Sequence, residues 1–279
     1  MSARALAERV WPGRVESVEV LGGGITNRNF KVAAAGELFV LRIGGNDTEL
    51  LGIDREVELD ASRAAAELGI APEVVAFVEP EGCLVTRYVE GEVGRVTVEE
   101  AAALLRRFHG GRPILGRFDA FRVVEAYAET AREYGVAPPA AFAEAHETAR
   151  RIEARRGPAA LHPCHDDLLA ANFIADGERI WIVDWEYAGM GDPAFDLANF
   201  AVSNELDEDG DRALLAAYGG AAYEAHVLMR FMSDFREAMW GVVQQALSEL
   251  DFDFAAYADE HFERLARTAA EPRFRAALG

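Results

Sequence analysis

The chain has 279 residues, 51% of them hydrophobic, which is enough for one large domain or for two lobes around a shared cleft. Its formal net charge of −20 at pH 7 argues against nucleic acid and anionic lipid as partners. Two distant cysteines give no disulfide framework, and no run resembles a signal peptide or a bilayer-spanning segment. We therefore expect a soluble cytoplasmic protein that does not insert into membranes, and the sequence leaves its oligomeric state open.

The first informative stretch, residues 18–32, predicts two apolar strands around the glycine-rich turn that begins at Gly22. Backbone N–H groups in such a turn can approach phosphate closely. The turn does not match the GxxxxGK[ST] phosphate loop or the GxGxxG fingerprint followed by a helix. From these residues alone, a plain glycine hairpin and a phosphate-binding turn both remain open.

The next segments predict further strands around one helix. Residues 38–43 predict a strand that carries the cationic side chain of Arg42, and residues 54–68 have the apolar spacing of a helix. Near the start of that helix, Glu56 could form an ion pair with Arg42 or could be a solvated surface glutamate. Two more predicted strands and a hinge complete a strand-rich lobe over residues 1–90: 74–78, 83–89 and 87–91.

Residues 91–279 are predicted to be mainly helical. Thr97 and Glu100 have the spacing of a capping box, which opens a helix that ends at His109. We expect His109, in the last turn, to interact with helix carbonyl groups. The remaining predicted helices cover residues 118–134, 139–156, 193–204, 211–218, 221–250 and 254–270.

The strongest motif lies between Leu161 and Asp184. Residues 180–183 form an apolar run typical of a short buried strand, and Asp176-Gly177 is the dipeptide that a tight hairpin turn prefers. A hairpin here would bring the loop that holds Asp167 and Asn172 back beside Asp184. Two oxygen ligands with a third carboxylate nearby describe a site for a hard cation such as Mg²⁺.

Two features of this region allow other interpretations, a transition-metal site and a helix start. A mixture of nitrogen, sulfur and oxygen ligands could hold a transition metal, although no second cluster completes its shell: His162, Cys164, His165, Asp166 and Asp167. Asp192-Pro193 is typical of a helix start, with aspartate as the N-cap and proline in the first turn. We interpret Asp196 as structural support for the loop around Asp167.

The spacing His165-x-Asp167-Leu168-x-x-x-Asn172, followed by Asp184 after a strand, resembles the catalytic and metal-binding segments of kinases with the protein-kinase-like fold. This resemblance implies an α+β, two-lobed chain. A small antiparallel-sheet N-lobe would bind the nucleotide, and a larger, mainly helical C-lobe would carry catalysis and bind the substrate. It further implies that Asp167 accepts the proton of a substrate hydroxyl, that Asn172 and Asp184 hold Mg²⁺ on ATP, and that His165 braces the loop.

The ending Asp184-Trp185-Glu186-Tyr187 narrows the resemblance to the choline/ethanolamine kinase family, within the superfamily that contains the aminoglycoside phosphotransferases. The order Gly-Gly-Ile-Thr-Asn also resembles the nucleotide loop of choline kinases. Arg42 matches the arginine with which these kinases grip phosphate, and Glu56 is its implied partner. By this resemblance the ATP site comprises Thr26, Asn27, Arg42, Glu56 and the backbone of Arg87 and Val89.

The same resemblance implies a pocket for a small cationic amino alcohol. A quaternary ammonium is held by aromatic faces and nearby carboxylates. The implied substrate-binding residues are Glu186, Tyr187, Trp240 and Tyr257. Trp240 could instead be a core residue, and Glu237 stands where eukaryotic members have a second tryptophan.

Choline is the leading substrate and ethanolamine the next, with thiamine or an aminoglycoside as the alternative within the enzyme class. A catalytically silent nucleotide-binding protein of the same fold and a zinc-dependent hydrolase remain open as alternatives of other classes.

Overall fold

The computed structural model describes residues 1–22, 27–45 and 48–279, and residues 23–26 and 46–47 lie outside this description. The described helices are α1 (Ala3–Val10), α2 (Arg55–Glu67), α3 (Val98–His109), α4 (Ala120–Glu133), α5 (Ala141–Arg156), α6 (Pro193–Ser203), α7 (Glu208–Tyr218), α8 (Tyr223–Leu247), α9 (Phe254–Ala270) and α10 (Pro272–Leu278). The described strands are β1 (Val15–Leu21), β2 (Asn27–Ala34), β3 (Glu37–Gly44), β4 (Val74–Val78), β5 (Cys83–Arg87), β6 (Glu92–Val93), β7 (His162–Cys164), β8 (Phe173–Ala175), β9 (Ile180–Ile182) and β10 (Gly189–Gly191).

The chain forms two compact units, and they do not follow a single cut in the sequence. The first unit consists of Met1–Arg95 and Ala171–Glu186, and the second consists of Val96–Ala170 and Tyr187–Gly279. The predicted division at residue 90 assigns 171–186 to the C-terminal lobe. These residues pack with the first unit because β8 pairs with β6 and the Ile182 N–H donates to the Ile70 carbonyl at 2.7 Å.

The first unit is built on an antiparallel sheet with strand order β1-β2-β3-β5-β4. Alternate side chains of these strands point to one face, where Val32, Leu41 and Val85 are fully buried and pack with Leu6 of α1. Strands β6, β8 and β9 form a second antiparallel sheet, with the predicted hairpin between β8 and β9.

The second unit is mainly helical around α8. Most of the 25 residues of α8 are buried, and α4, α6 and α9 pack against it. A helix that is buried on nearly all sides must carry its polar residues in paired networks, because an unpaired buried polar group is costly. The α+β class is confirmed, with an antiparallel sheet in the N-terminal region and helices in the C-terminal part.

Local capping signals set the starts of α3 and α6 as predicted. Thr97 and Glu100 form the capping box of α3, and Asp192 caps α6 with Pro193 in its first turn. Helix α7 begins earlier than the predicted Asp211, because the Asp207 side chain accepts the Gly210 N–H. Helices α1 and α10 were not predicted. Among the helices of the described residues, none combines the length and apolar character needed to cross a bilayer.

Candidate active site

In the first unit, the β8–β9 hairpin brings Asn172 and Asp184 together. Asn172 directly precedes β8, and the Val183 N–H, just beyond β9, donates to the Asn172 carbonyl at 2.9 Å. Asp184 has a φ of +69°, in the left-handed region that few residues other than glycine adopt. Both side chains line the same cavity, so the predicted convergence of an amide and a carboxylate occurs.

Arg42 connects this hairpin to helix α2. Its Nη1 lies 2.8 Å from Glu58 Oε1 and 2.7 Å from Asp184 Oδ1. The Asp184 contact is an ion pair without hydrogen-bond alignment, because Oδ1 has no hydrogen-bond partner among the described residues. Burial alone would lower the pKa of the Arg42 guanidinium, but the carboxylates of Asp184, Glu58 and Glu186 outweigh burial and raise it. Arg42 is therefore a fixed cation at this site.

The prediction that Glu56 pairs with Arg42 is wrong, because Glu58 takes that position. Glu56 is exposed on the first turn of α2, whereas Glu58 is 2% exposed. Successive helical residues are about 100° apart, so positions 56 and 58 lie on nearly opposite faces. The sequence shows that an acidic side chain begins this helix, but not which of its faces meets β3.

Glu186 belongs to a buried network in the first unit. Its Oε2 accepts a hydrogen bond from Asn27 Nδ2 at 2.8 Å and pairs with Arg55 Nη1 at 3.3 Å. Arg55 also pairs with Glu58 at 2.6 Å and donates to Asn27 Oδ1 at 3.1 Å. Asn27 and Glu186, which were predicted to contact nucleotide and substrate respectively, are hydrogen-bonded to each other. Their contacts with ligands stay predictions. Thr26, the other residue predicted in the glycine turn, lies outside the described residues.

The cavity of the first unit has a volume of about 360 Å³. Arg87 and Val89, predicted to present their backbone to adenine, are on its wall, while the Arg87 guanidinium pairs with Glu37 at 2.6 Å. Gly91 allows the backbone at this position to approach the backbone of β8 closely, because a Cβ here would lie 2.4 Å from the Ala175 carbonyl oxygen. The other described side chains on the wall include Leu21, Asn29, Val40, Ala71, Leu84, Thr86, Tyr88, Val93, Ile174 and Trp185.

In the second unit, Asp196 fixes the backbone of the loop that carries Asp167. Asp196 Oδ2 accepts the His165 N–H at 2.9 Å, and Oδ1 accepts the Asp166 N–H at 2.7 Å. His165 Nδ1 is 3.2 Å from the Asp167 nitrogen, and Asn199 Oδ1 accepts the Leu168 N–H at 2.5 Å. The structural role predicted for Asp196 is confirmed, and the position of His165 agrees with a bracing role.

His109 does not contact helix carbonyl groups through its ring, so that prediction is wrong. Its Nε2 is 2.9 Å from Asp196 Oδ2, and its Nδ1 is 2.8 Å from the Tyr218 hydroxyl. Within the described residues, His109, Cys164 and Asp196 are the group whose ligand atoms lie close enough for a metal. Because both His109 nitrogens have protein partners, we interpret the group as a brace rather than a metal site. The alternative transition-metal set weighed from the sequence shares only Cys164 with this group, and its other members are not in the group found among the described residues.

Asp166, beside Asp167, is buried and carries two oxygens without hydrogen-bond partners among the described residues. It has a φ of +65°, in the left-handed region that few residues other than glycine adopt. Burial, and next the charge of Asp196, raise the pKa of Asp166 well above its ordinary value. The group is therefore stabilised in its neutral form.

Asp167 is held by an arginine that the sequence reasoning missed. Arg236 of α8 donates from Nη1 to Asp167 Oδ1 at 3.0 Å and also to the neighbouring Glu237. Arg236 is 1% exposed and Asp167 is 8% exposed. The available signal was the Arg-Glu dipeptide inside a mostly apolar helix, because charges at such positions are buried only when they are paired.

The predicted aromatic residues gather around the same pair. Trp240 Nε1 donates to the Tyr187 hydroxyl at 3.1 Å, and the Trp240 ring meets Tyr257 edge-on at 5.5 Å. The Tyr257 hydroxyl donates to Glu237 at 2.7 Å, and the Arg236 guanidinium lies 4.3 Å from the Tyr187 ring centre. Trp240 is 8% exposed, so it belongs both to the core and to this polar cluster.

Comparisons with known proteins agree with the fold and with the sequence motifs. The family model described as phosphotransferase enzyme family (APH) matches residues 17–232. A solved choline/ethanolamine kinase family protein from Mesorhizobium loti is 32% identical with a TM-score of 0.82, and the match covers 99% of this chain and 97% of that one. The choline kinase LicA of Streptococcus pneumoniae is 24% identical with a TM-score of 0.83, covering 96% of this chain and 98% of that one, which shows a shared fold.

A curated relative, Protein LicA of Haemophilus influenzae, is 29% identical over 222 residues. This match covers 73% of the present chain and 63% of the relative, so it spans less than two thirds of that protein. The family model nevertheless covers most of the chain, and the Mesorhizobium loti structure matches nearly all of it. The chain therefore belongs to the phosphotransferase enzyme family and, within it, to the choline/ethanolamine kinase family.

Proposed function

We propose that this protein transfers the γ-phosphoryl group of ATP to the hydroxyl of a small amino alcohol, choline or ethanolamine. The main support is that Asn172, Asp184 and Arg42 all line one cavity of the first unit. Its volume, about 360 Å³, is in the usual range for a small-molecule site. The cavity is lined both by apolar side chains, which suit a base, and by polar and charged side chains, which suit phosphates.

The polar and charged residues of the cavity fit a magnesium-bound nucleotide. Amide and carboxylate oxygens are ligands that Mg²⁺ accepts, so Asn172 and Asp184 would hold this ion. When bound, Mg²⁺ neutralises charge on the phosphates during transfer. Arg42, already in an ion pair with Asp184, would place a permanent positive charge on phosphate oxygens.

Asp167 would receive the proton of the acceptor alcohol. As the hydroxyl oxygen bonds to the γ-phosphorus, its proton moves to the Asp167 carboxylate. The bond between that phosphorus and the β–γ bridging oxygen breaks, and ADP leaves with its electron pair. Arg236 and the bonds of the surrounding loop hold the Asp167 carboxylate and backbone for this step.

The test is ADP formation with choline, ethanolamine, thiamine and an aminoglycoside as acceptors, in the presence of ATP and Mg²⁺. We expect choline or ethanolamine to raise the rate at least about tenfold over the acceptor-free background, the smallest factor that corresponds to a clear difference in transition-state binding. Phosphorus NMR should show a phosphomonoester of the alcohol.

Other outcomes would contradict the proposal in distinguishable ways. ADP formation with only thiamine or only the aminoglycoside would mean that this compound, and not choline or ethanolamine, is the acceptor. ADP and inorganic phosphate in equal amounts, without a phosphoester and with tightly bound zinc, would indicate a hydrolase. Nucleotide binding without turnover of any acceptor would indicate a catalytically silent protein of the same fold.

A further inference from the structure

Arg236 is a buried cation with incomplete hydrogen bonding. Its Nη1 serves both Asp167 and Glu237, while Nε and Nη2 have no hydrogen-bond partner among the described residues. A buried guanidinium normally satisfies its donors, since each unpaired one costs about 1–3 kcal/mol. Arg236 is therefore a buried cation directly adjacent to Asp167, and two of its donor nitrogens are unpaired among the described residues.

Arg236 also occupies one face of an aromatic ring in this cluster. Its guanidinium carbon is 4.3 Å from the Tyr187 ring centre, within the range of a cation–π contact. The Tyr187 hydroxyl is fixed by the Trp240 indole at 3.1 Å. This face of Tyr187 is therefore covered by an internal cation and is not available to the methyl groups of a quaternary ammonium.

Glu237 supplies a buried negative charge beside the positive charge of Arg236. It is 5% exposed, and its Oε2 accepts the Tyr257 hydroxyl at 2.7 Å. Burial alone would raise the pKa of Glu237, but Arg236 and next the hydrogen bond from Tyr257 outweigh burial and lower it. Each carboxylate oxygen has lone pairs for a further donor. Asp167 and Glu237 together carry one more charge than Arg236 neutralises, so the cluster favours one additional cation.

We propose that Glu237 is the acceptor for the ammonium group of the substrate and that Arg236 disfavours a quaternary ammonium, so the protein prefers amino alcohols with N–H donors. The inference rests on the proposed function, because it takes Asp167 as the group that receives the hydroxyl proton. Only two carbons separate the oxygen and nitrogen of ethanolamine. A hydroxyl at Asp167 thus brings the ammonium near the side chains that contact Asp167 and Arg236.

The number of N–H groups on the substrate separates this proposal from binding by an aromatic cage. Ethanolamine, N-methylethanolamine, protonated dimethylaminoethanol and choline carry three, two, one and no N–H donors and share the same reacting hydroxyl. A carboxylate acceptor predicts that kcat/KM falls along this series, and an aromatic cage predicts that it rises. We expect ethanolamine to exceed choline by about tenfold to a hundredfold, the size of one charge-assisted hydrogen bond.

Two variants test the residues themselves through the ratio of kcat/KM for ethanolamine to that for choline. Glu237→Gln should lower this ratio at least about tenfold, because the acceptor loses its charge. Arg236→Met should lower it by admitting choline to the Tyr187 ring. Both variants also affect Asp167 or the fold, but such effects act on both substrates and cancel in the ratio.

Arg230→Met is the matched control. Arg230 lies on the same helix and pairs with Asp211 at 2.6 Å, so its loss removes a partly buried ion pair away from Asp167. It should leave the ratio unchanged. Tyr257→Phe, a milder change, should lower the ratio in the same direction as Glu237→Gln and keeps the test valid if that variant does not fold.

The outcomes separate the two proposals. The inference is overturned if kcat/KM of the wild-type protein stays constant or rises along the series, or if Glu237→Gln and Tyr257→Phe leave the ratio unchanged. In either case, phosphorylation of the four alcohols would still support the proposed function. If none of the four alcohols is phosphorylated while another acceptor is, the proposed function fails and the inference falls with it.

Discussion

The Arg42–Asp184 pair of the first unit and the Arg236–Asp167 pair of the second unit have the same chemistry but different access to solvent. The side chains of Arg42 and Asp184 are 12% and 21% exposed and line a cavity. Those of Arg236 and Asp167 are 2% and 12% exposed. The first pair can share its charges with a large anionic ligand, whereas the second is suited to fixing one carboxylate beside a small molecule.

This difference in exposure indicates that the two ion pairs have different functions. Each arginine contacts a second carboxylate from α2 or α8, Glu58 or Glu237, so neither guanidinium depends on its aspartate alone. Removing Asp184 or Asp167 should therefore impair only the function of that pair. The arginine that loses its aspartate keeps its ion pair with Glu58 or Glu237. The following predictions test this comparison, beginning with the largest expected effect.

Asp167→Asn should reduce kcat by about a thousandfold, within the range that general-base groups contribute. Affinity for ADP should not change, because every residue that lines the proposed nucleotide cavity belongs to the first unit. ADP formation and calorimetric ADP binding measure the two quantities. Asp209→Asn, an exposed change in the second unit, is the control. Retention of more than a tenth of wild-type kcat would remove Asp167 from its proposed role.

Asp184→Asn should weaken ADP binding about tenfold to a hundredfold when Mg²⁺ is present, because a carboxylate ligand is lost. With a chelator in place of Mg²⁺, the variant and the wild type should bind ADP with similar affinity. Calorimetry in the two buffers measures this difference. An equal loss of affinity in both buffers would mean that Asp184 acts on the nucleotide through Arg42 and not through a metal.

Glu58→Gln should lower the free energy of unfolding by about 3 kcal/mol, because a charge paired with two arginines, Arg42 and Arg55, is removed from a buried position. Glu56→Gln, two residues earlier on the exposed face, should change it by less than about 0.5 kcal/mol. Urea denaturation of the two variants measures the difference. Equal effects would contradict the assignment of Glu58 as the partner of Arg42.

Gly91→Ala should destabilise the first unit by about 1–3 kcal/mol, the usual cost of overpacking. The new Cβ would lie 2.4 Å from the Ala175 carbonyl oxygen, which is backbone and cannot turn aside. Gly22→Ala is a control on the same cavity, because a Cβ there has no heavy atom within 4 Å. Urea denaturation and ADP affinity should both respond to the first change only.

Asp166→Asn should stabilise the protein increasingly as pH rises. The folded state raises the pKa of Asp166, so it binds more protons than the unfolded state between the two pKa values. Wild-type stability therefore falls with increasing pH in that window, which begins near the ordinary aspartate value of about 4. The variant lacks this loss and should exceed the wild type by about 1 kcal/mol or more at pH 8 and by little at pH 4. A constant difference would show that Asp166 does not titrate in this range.

Much of the fold followed from local patterns. The capping box at Thr97, the N-cap at Asp192 and the turn at Asp176-Gly177 involve residues no more than a few positions apart. Their geometry depends on the chain itself, so the sequence could predict it. The short helix α1 and the pairing of β6 with β8 were missed, since short segments carry little periodic signal.

The candidate site was predictable in its members and not in their partners. The motif order indicated Asp167, Asn172 and Asp184, and the hairpin brought the last two together as expected. The residues that hold them came from distant segments: Glu58 for Arg42, Arg236 for Asp167 and Asp196 for the loop. Glu186, adjacent to Tyr187 in sequence, instead joined Asn27 and Arg55 in the first unit.

The sequence by itself determined the family, the helix starts that carry a capping signal, and the acidic and amide groups available for phosphoryl transfer, because these depend on residue type and short spacing. Only the tertiary structure decided which arginine neutralises which carboxylate and which aromatic face is already covered. Ion pairs between residues far apart in the chain require the burial that packing creates, and burial is a property of the whole fold.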